Sequence, residues 1–324
     1  DPPGAHVTMT ASPRVAVVGA GNMGANHARV VAASPRAELA MVLDVDADRA
    51  DAVARPLGVE GSTDLAAAAG CDAVVVAATT EVHLDIALPL LEAGVSCLVE
   101  KPLADDLVAV DRLIGASETS GAALMCGFVE RFNPAVVGAR ALLDGSPVHL
   151  LGIRHSPHNP RTRSSVIDDL LIHDIDLALD LFGGSVTSVS GGHWVSPEGV
   201  EELADCTMVF DHGAVATLSS SRTSQRKVRS LSLSSVDLLI EIDLLRHDLT
   251  AYRHRSGEVV DRDGPIYRAE TVVEIPFVRH TGEPLAVQFD HFVDLVTSDA
   301  SRDAERASLR APHAAVAQIK AGVR

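Results

Sequence analysis

A short β-branched run, Arg14-Val15-Ala16-Val17-Val18, passes directly into Gly19-Ala20-Gly21-Asn22-Met23-Gly24 and then into a helical stretch that reaches Val31. No other segment constrains the fold as much. A run of this kind suits a strand buried on both faces of a parallel sheet. Glycines at this spacing, after a strand and before a helix, suit a turn that cradles a dinucleotide. Gly19 permits the tight turn, Gly21 lets the backbone approach a pyrophosphate, and Gly24 lets helix and strand pack closely. The helix N-terminus adds unpaired N–H groups and a partial positive charge for the phosphates. Without its context the glycine motif is weak, since α/β proteins that bind no nucleotide also turn on glycine.

Asp44 closes the next apolar run, Leu39–Leu43, 20 residues after Gly24. A carboxylate there accepts hydrogen bonds from a ribose 2′-OH and repels a 2′-phosphate, which favours NAD over NADP. Arg49, one helical turn on, partly offsets that repulsion.

Strand and helix patterns then alternate. Ala47–Leu57 reads as a helix, Asp72–Ala77 as a buried strand and His83–Ala93 as a helix stopped by Gly94. Val95–Val99 is the next strand, Leu107–Ser117 the next helix and Ala122–Phe128 a last strand. Such alternation implies an α/β fold with a doubly wound parallel sheet, a Rossmann domain over residues 14–128. Beyond residue 147 the pattern changes to strands of alternating polarity: Val186–Val195, Cys206–Phe210, Ala214–Ser219, Val228–Ser234 and Leu238–Ile242. Asp211-His212-Gly213 is a hairpin signal between two of them. Helical patterns follow near Ala286–Thr297 and Ala311–Ala321. Residues 129–324 are therefore expected to form a second, α+β domain. Its large, mostly antiparallel sheet has one open face, suited to homodimer or homotetramer contacts.

The chain's 324 residues accommodate two such domains, and residues 1–13 read as a disordered leader. No apolar stretch reaches the ~18 residues of a membrane span. Cys71, Cys97, Cys126 and Cys206 lie in or beside apolar stretches with no metal-type pairing, as reduced core thiols of a cytoplasmic protein do. A formal charge of −17 argues against partners such as nucleic acid or an anionic membrane.

The basic residues are 24 arginines and only three lysines, Lys101, Lys227 and Lys320. Lys101 follows the Val95–Val99 run, in Glu100-Lys101-Pro102. The carboxyl end of a parallel strand is where open α/β sheets place ligands. An ammonium, unlike a guanidinium, loses its proton readily when desolvated. On position alone a snorkelling lysine at a strand end fits equally well.

In the second half, Asp168-Asp169-Leu170-Leu171-Ile172-His173-Asp174-Ile175-Asp176 is the densest polar segment. On a helix, Asp169, His173 and Asp176 share one face, with a carboxylate one turn either side of the imidazole. A neighbouring carboxylate fixes a histidine's tautomer and raises its basicity, which suits a general base. A solvated acidic helix is the plain alternative. A metal site is disfavoured because the helix has one histidine and no companion motif. Arg154-His155-Ser156-Pro157-His158-Asn159-Pro160-Arg161-Thr162-Arg163 carries three arginines and no acid, and its prolines suggest a loop. Arg154, Arg161 and Arg163 suit a clamp on an anionic substrate such as a sugar phosphate or nucleotide diphosphate, or are scattered surface charge.

Together, the glycine motif with His27, Asp44, Glu100-Lys101-Pro102 and the Asp169/His173/Asp176 helix resemble the Gfo/Idh/MocA family of sugar and cyclitol dehydrogenases. The likeness runs from about Val15 to Glu283-Pro284-Leu285. Val129-Glu130-Arg131-Phe132-Asn133-Pro134, the segment around His173 and the Arg154–Arg163 stretch are similar to the branch that oxidises the 3-hydroxyl of UDP-N-acetylglucosamine. The resemblance implies an NAD-dependent dehydrogenase acting on a secondary hydroxyl of a sugar or nucleotide sugar. Lys101 would bond the reacting oxygen, His173 act as general base, and Asp169 orient the site. Asn22, Met23, Thr79, Thr80, His83 and Glu100 would join the glycines, Asp44, Arg49 and Lys101 around the cofactor. Arg131 and Asn133 would face substrate. Reduction of a ketosugar is the nearest alternative, but the acid in such reductases can be a tyrosine, and Tyr252 and Tyr267 lie far from this helix in sequence. A non-catalytic NAD-binding sensor is the alternative of another class, and it requires neither Lys101 nor His173.

Overall fold

The structure, a computed structural model, describes residues 12–143, 145, 147–159, 162–261, 264–279 and 282–322. The expected leader thus lies outside the described residues up to residue 11. Two compact units emerge. The first holds the chain up to Glu100, Asp111–Cys126 and Gln288–Arg306; the second holds Lys101–Val110, Gly127–Val287 and the chain from Ala307. The chain therefore passes between units more often than one division at residue 128 describes.

In the first unit, strands β1 (Arg14–Val18), β2 (Glu38–Leu43), β3 (Glu60–Ser62), β4 (Ala73–Val76), β5 (Ser96–Val99) and β6 (Leu124–Cys126) form one sheet. Their order is β3-β2-β1-β4-β5-β6, with every pair parallel. This is the doubly wound Rossmann order. Val17, Val74, Val75, Val76, Leu98 and Val99 are fully buried, which is why the central strands are continuous apolar runs rather than alternating ones. The connecting helices are α1 (Asn22–Ala33), α2 (Ala47–Ala54), α3 (His83–Glu92) and α4 (Leu107–Ser120).

The second unit is built on eight strands: β7 (His149–His155), β8 (Val186–Val195), β9 (Glu201–Phe210), β10 (Val215–Ser221), β11 (Val228–Ser234), β12 (Leu239–Asp243), β13 (Asp248–Asp261) and β14 (Gly264–Glu274). Their order is β14-β13-β12-β11-β7-β10-β9-β8, antiparallel except for the β7–β10 pair. Helix α5 (Pro134–Leu142) packs on β12 and β13, and α6 (Ile172–Phe182) packs on β7 and β10. Beneath that cover Leu150, Ala216, Leu218, Leu231 and Leu233 are at most 1% exposed. Ser230, Ser232 and Ser234 alternate onto the other face, beside Leu151, which is 39% exposed. The strict Ser/Leu alternation of β11 thus records one packed and one open face. Helices α7 (Pro284–Thr297) and α8 (Arg302–Lys320) complete the chain. All four cysteines are buried, and among the described residues none forms a disulfide. No described helix is long and apolar enough to cross a membrane.

Candidate active site

The glycine turn of the first unit leaves no room for side chains at two of its three glycines. Gly19 has φ +98°, and a Cβ there would stand 2.6 Å from the Ala77 carbonyl oxygen. A Cβ on Gly24 would sit 1.7 Å from the Gly19 carbonyl oxygen, so this helix can approach its strand only as glycine. A Cβ at Gly21 meets nothing within 4 Å, which leaves open ground beside the start of α1. No side chain caps that helix and its first turn holds no acid, so its N–H groups suit an anionic ligand. Asn22 and Met23 open the helix, with Met23 39% exposed. These features fit the pyrophosphate of a dinucleotide.

Asp44 stands beside this turn. Its Oδ2 accepts from the Ala20 N–H at 2.7 Å and its Oδ1 from the Asp46 N–H at 2.9 Å. Arg49 Nη2 lies 3.2 Å from Oδ1. The carboxylate therefore pins the glycine loop. Thr79 is exposed and Thr80 half-buried in the segment that follows β4. His83, expected near the cofactor, is instead buried, with Nε2 3.1 Å from the Ala78 carbonyl oxygen, and supports that loop from within. Glu100 directly follows β5 and is bonded to His27 Nε2 at 2.8 Å, both buried. That contact ties α1 to the strand that delivers Lys101.

In the second unit Lys101 Nζ donates to Asp169 Oδ1 at 2.6 Å and to the Asp169 carbonyl oxygen at 2.7 Å. Asp169 sits in a π-helical turn, Ile167–Leu171, that packs on β9 and β10 and leads into α6. Wide turns of this kind recur at functional sites. Arg222, 3% exposed and just past β10, donates to Asp169 Oδ2 at 2.6 Å and to the Ser164 carbonyl oxygen at 2.6 Å. Burial pushes the Asp169 carboxyl up, but Lys101 and Arg222 outweigh it and hold the group below the usual carboxylate range. Asp169 is thus a fixed anion clamped between two cations.

His173 is one turn further on. Its Nδ1 is buried with no hydrogen-bond partner among the described residues. The expectation that Asp169 and Asp176 fix its tautomer is corrected here. Asp169 is engaged by Lys101 and Arg222, and Asp176 accepts from Arg131 Nε at 2.8 Å in a two-point pair. The ring is tuned instead by burial, then by the charges of Lys101, Arg154 and Arg229, which together hold its pKa well below the ordinary histidine value. A neutral imidazole at neutral pH is the form that accepts a proton.

Three residues expected to face substrate are turned inward. Arg131 is committed to Asp176 and Ser308 and lies over the Phe128 ring, 5.2 Å from its centroid. Asn133 is 2% exposed, caps α5 through its Oδ1, and donates to Glu130 and the Leu244 carbonyl. Arg154 belongs to β7 rather than to a loop and is 2% exposed. It donates to Asp174 Oδ1 at 2.6 and 3.0 Å and to Glu130 Oε1 at 2.8 Å. Two carboxylates at this distance are what makes a guanidinium tolerable inside the unit. Of the other clamp candidates, Arg163 is exposed and Arg161 lies outside the described residues. Sequence reasoning missed Arg222 and Arg229, because an arginine inside a serine-rich strand segment gives no signal until the strands are registered. Among the described residues no group of three or more ligating side chains is arranged to hold a metal ion.

The fold and the glycine turn define an NAD-binding oxidoreductase. Residues 13–128 match the oxidoreductase family with an NAD-binding Rossmann fold, and residues 139–235 match the GFO/IDH/MocA C-terminal domain. The chain belongs to the GFO/IDH/MocA oxidoreductase family. It is 30% identical to the UDP-N-acetylglucosamine 3-dehydrogenase of Acidithiobacillus ferrooxidans over 96% of this chain and 97% of that one. A solved structure of that enzyme superposes with a TM-score of 0.85, again over 96% of this chain and 97% of that one. The scyllo-inositol 2-dehydrogenase (NAD(+)) of Bacillus subtilis is 32% identical over 65% of this chain and 68% of its own.

Proposed function

We propose that this enzyme oxidises a secondary ring hydroxyl of a nucleotide sugar, at C3 of UDP-N-acetylglucosamine or a close analogue, with Lys101, Asp169 and His173 as the working residues. One observation carries the substrate class: the match to the UDP-N-acetylglucosamine 3-dehydrogenase spans both chains nearly end to end, whereas the inositol-enzyme match leaves about a third of each unmatched. A dinucleotide held by Gly19, Gly21, Gly24 and Asp44 would supply the hydride acceptor for the sugar carbon. The residues of the second unit handle the proton. The Lys101 ammonium, fixed by Asp169, donates a hydrogen bond to the reacting oxygen and stabilises the negative charge that grows on it. His173, held neutral, accepts the hydroxyl proton. The imidazolium so formed stands near three cations and passes its proton on readily. In the reverse direction the same histidine returns the proton.

A cytoplasmic location agrees with four buried cysteines that form no disulfide among the described residues. The uncovered sheet face around Leu151, Ser230 and Ser232 supports association into a homodimer or homotetramer. The deciding experiment is a nicotinamide-absorbance assay against UDP-sugars, sugar phosphates and inositols. Turnover of UDP-N-acetylglucosamine is expected, and turnover of inositols alone would overturn the substrate reading.

A further inference from the structure

Two arginines face each other across the β7–β11 pair. Arg154 and Arg229 are directly opposed in its antiparallel register. Like charges so placed repel, because opposed side chains start about 5 Å apart. The nearby carboxylates are divided unequally between them. Arg154 donates three hydrogen bonds to Asp174 and Glu130 and is buried. Arg229 is left with one loose ion contact, its Nη1 3.6 Å from the Glu130 Oε1 that Arg154 already holds at 2.8 Å. Its guanidinium makes no hydrogen bond with any described residue, and a third of its side chain is exposed.

Arg229 also lies on the working side of the sheet. It alternates with Leu231 and Leu233, both buried, so it shares the helix-covered face of β11. Its charge reaches both His173 and Asp169. A half-desolvated guanidinium with uncommitted donors is complemented best by a phosphate or carboxylate that meets its planar fork. In a nucleotide sugar the first phosphate leaves C1, two ring bonds from C3. An oxygen at C3 beside Lys101 and His173 therefore brings that phosphate to the same neighbourhood.

We propose that Arg229 is a specificity residue that binds the phosphate group attached to the sugar of the substrate. This rests on the assignment of Lys101 and His173 as the groups that meet the reacting hydroxyl. Arg229 takes the place of Arg154 in the clamp of Arg154, Arg161 and Arg163 expected from sequence. The shared ligand chemistry is a sugar 1-phosphate unit, whether free or within a nucleotide diphosphate.

The test is steady-state kinetics of the wild-type enzyme, Arg229→Met and Arg229→Lys. Substrates are UDP-N-acetylglucosamine, N-acetylglucosamine 1-phosphate and free N-acetylglucosamine, with NADH affinity measured as a check on folding. Loss of one charge-assisted, two-point contact is expected to raise KM for phosphate-bearing substrates roughly 10- to 100-fold in Arg229→Met. KM for the free sugar should stay within about twofold, and Arg229→Lys should recover part of the loss. Comparable effects on the two phosphate-bearing substrates would assign the contact to the sugar-proximal phosphate. An effect on the UDP-sugar alone would overturn the sugar-proximal assignment. An unchanged KM on phosphate-bearing substrates, or equal losses on the free sugar, would overturn the proposal as a whole and leave Arg229 structural. A wild-type enzyme inert toward every phosphate-bearing sugar would overturn the substrate reading itself, which is a different result. If Arg229→Met no longer binds NADH, Arg229→Lys alone decides between the same outcomes.

Discussion

Lys101 donates from a single ammonium to both oxygens that Asp169 presents, its backbone carbonyl at 2.7 Å and its carboxylate Oδ1 at 2.6 Å. Two contacts to one residue fix the position of Nζ far better than a surface ion pair would. Only 15% of the lysine side chain is exposed. A lysine held this way is pre-organised to meet an oxygen in one place. Lys101→Ala is expected to lower kcat by about 10²–10⁴-fold while NADH binding holds within about twofold. Lys101→Arg should recover little, because a planar fork cannot reproduce a point donor. Wild-type kcat in Lys101→Ala would remove the lysine from the mechanism.

His173 predicts an unusual pH profile. Burial, then Lys101, Arg154 and Arg229, hold its pKa well below the ordinary value of 6.5. For oxidation the ring must be neutral, so activity is kept above the folded pKa and lost as pH falls through it. The acid limb of kcat/KM assigned to this histidine should therefore lie below about 6.5. His173→Ala should abolish that limb together with most of the turnover. In Arg229→Met the limb should move up, since one of the depressing charges is gone. A limb at or above 6.5 in the wild-type enzyme would contradict the burial of this imidazole.

His313 links stability to pH. Its Nδ1 donates to the Leu309 carbonyl at 2.7 Å and its Nε2 accepts from the Leu103 N–H at 2.9 Å, so the folded ring is neutral. Burial lowers its pKa from 6.5 to about 4, with the Leu309 bond opposing the shift. The unfolded chain binds this proton first. The stability is complete above the unfolded value and declines as pH falls from about 6.5 to about 4. The full swing is roughly 3 kcal/mol, of which about 2 falls between pH 7 and pH 5. Denaturant midpoints at those two pH values check it. His313→Gln, which cannot titrate, should lose that part of the slope.

Arg154 carries a stability prediction rather than a binding one. Arg154→Met would leave Glu130 and Asp174 buried with their main counter-charge gone. Breaking such a cluster from one side costs about 3–5 kcal/mol. The expected readout is a lowered denaturant midpoint. A loss confined to substrate affinity, with stability unchanged, would mean that Arg154 is free to meet ligand after all.

The sequence pattern located the Rossmann sheet closely because burial on both faces leaves continuous runs such as Val74-Val75-Val76. It also placed Lys101 at a strand end and Asp169 beside His173. It missed β3, three polar residues at a sheet edge, and the β13–β14 ribbon, where Arg255, Ser256 and Gly257 are all exposed and no periodic face exists to read. The misreadings of Arg131, Asn133 and Arg154 share a cause. Polarity was taken as exposure, yet each polar group is satisfied inside by a partner distant in sequence: Asp176, Leu244 and Asp174. Arg222 and Arg229 were invisible for the converse reason. Only strand register brings them beside Asp169 and Arg154.

Asp44 makes the cofactor prediction. Its carboxylate holds the Ala20 N–H and the Asp46 N–H in place and, in the proposed cofactor site, would also exclude a 2′-phosphate. Removing it entirely affects both. Asp44→Ala should weaken NADH binding by roughly 10-fold or more, as a charged hydrogen bond and the loop anchor are lost together. The same change ends the repulsion of a 2′-phosphate and releases Arg49, now 3.2 Å from Asp44, to meet that group. Affinity for NADPH should therefore rise relative to NADH. Asp44→Asn separates the two duties, since an amide keeps one acceptor oxygen for the loop but carries no charge. It should retain more NADH affinity than Asp44→Ala while still relaxing the preference. Calorimetric titration of the three proteins with both dinucleotides reads these outcomes directly. A wild-type enzyme that binds NADPH more tightly than NADH would overturn the role given to Asp44.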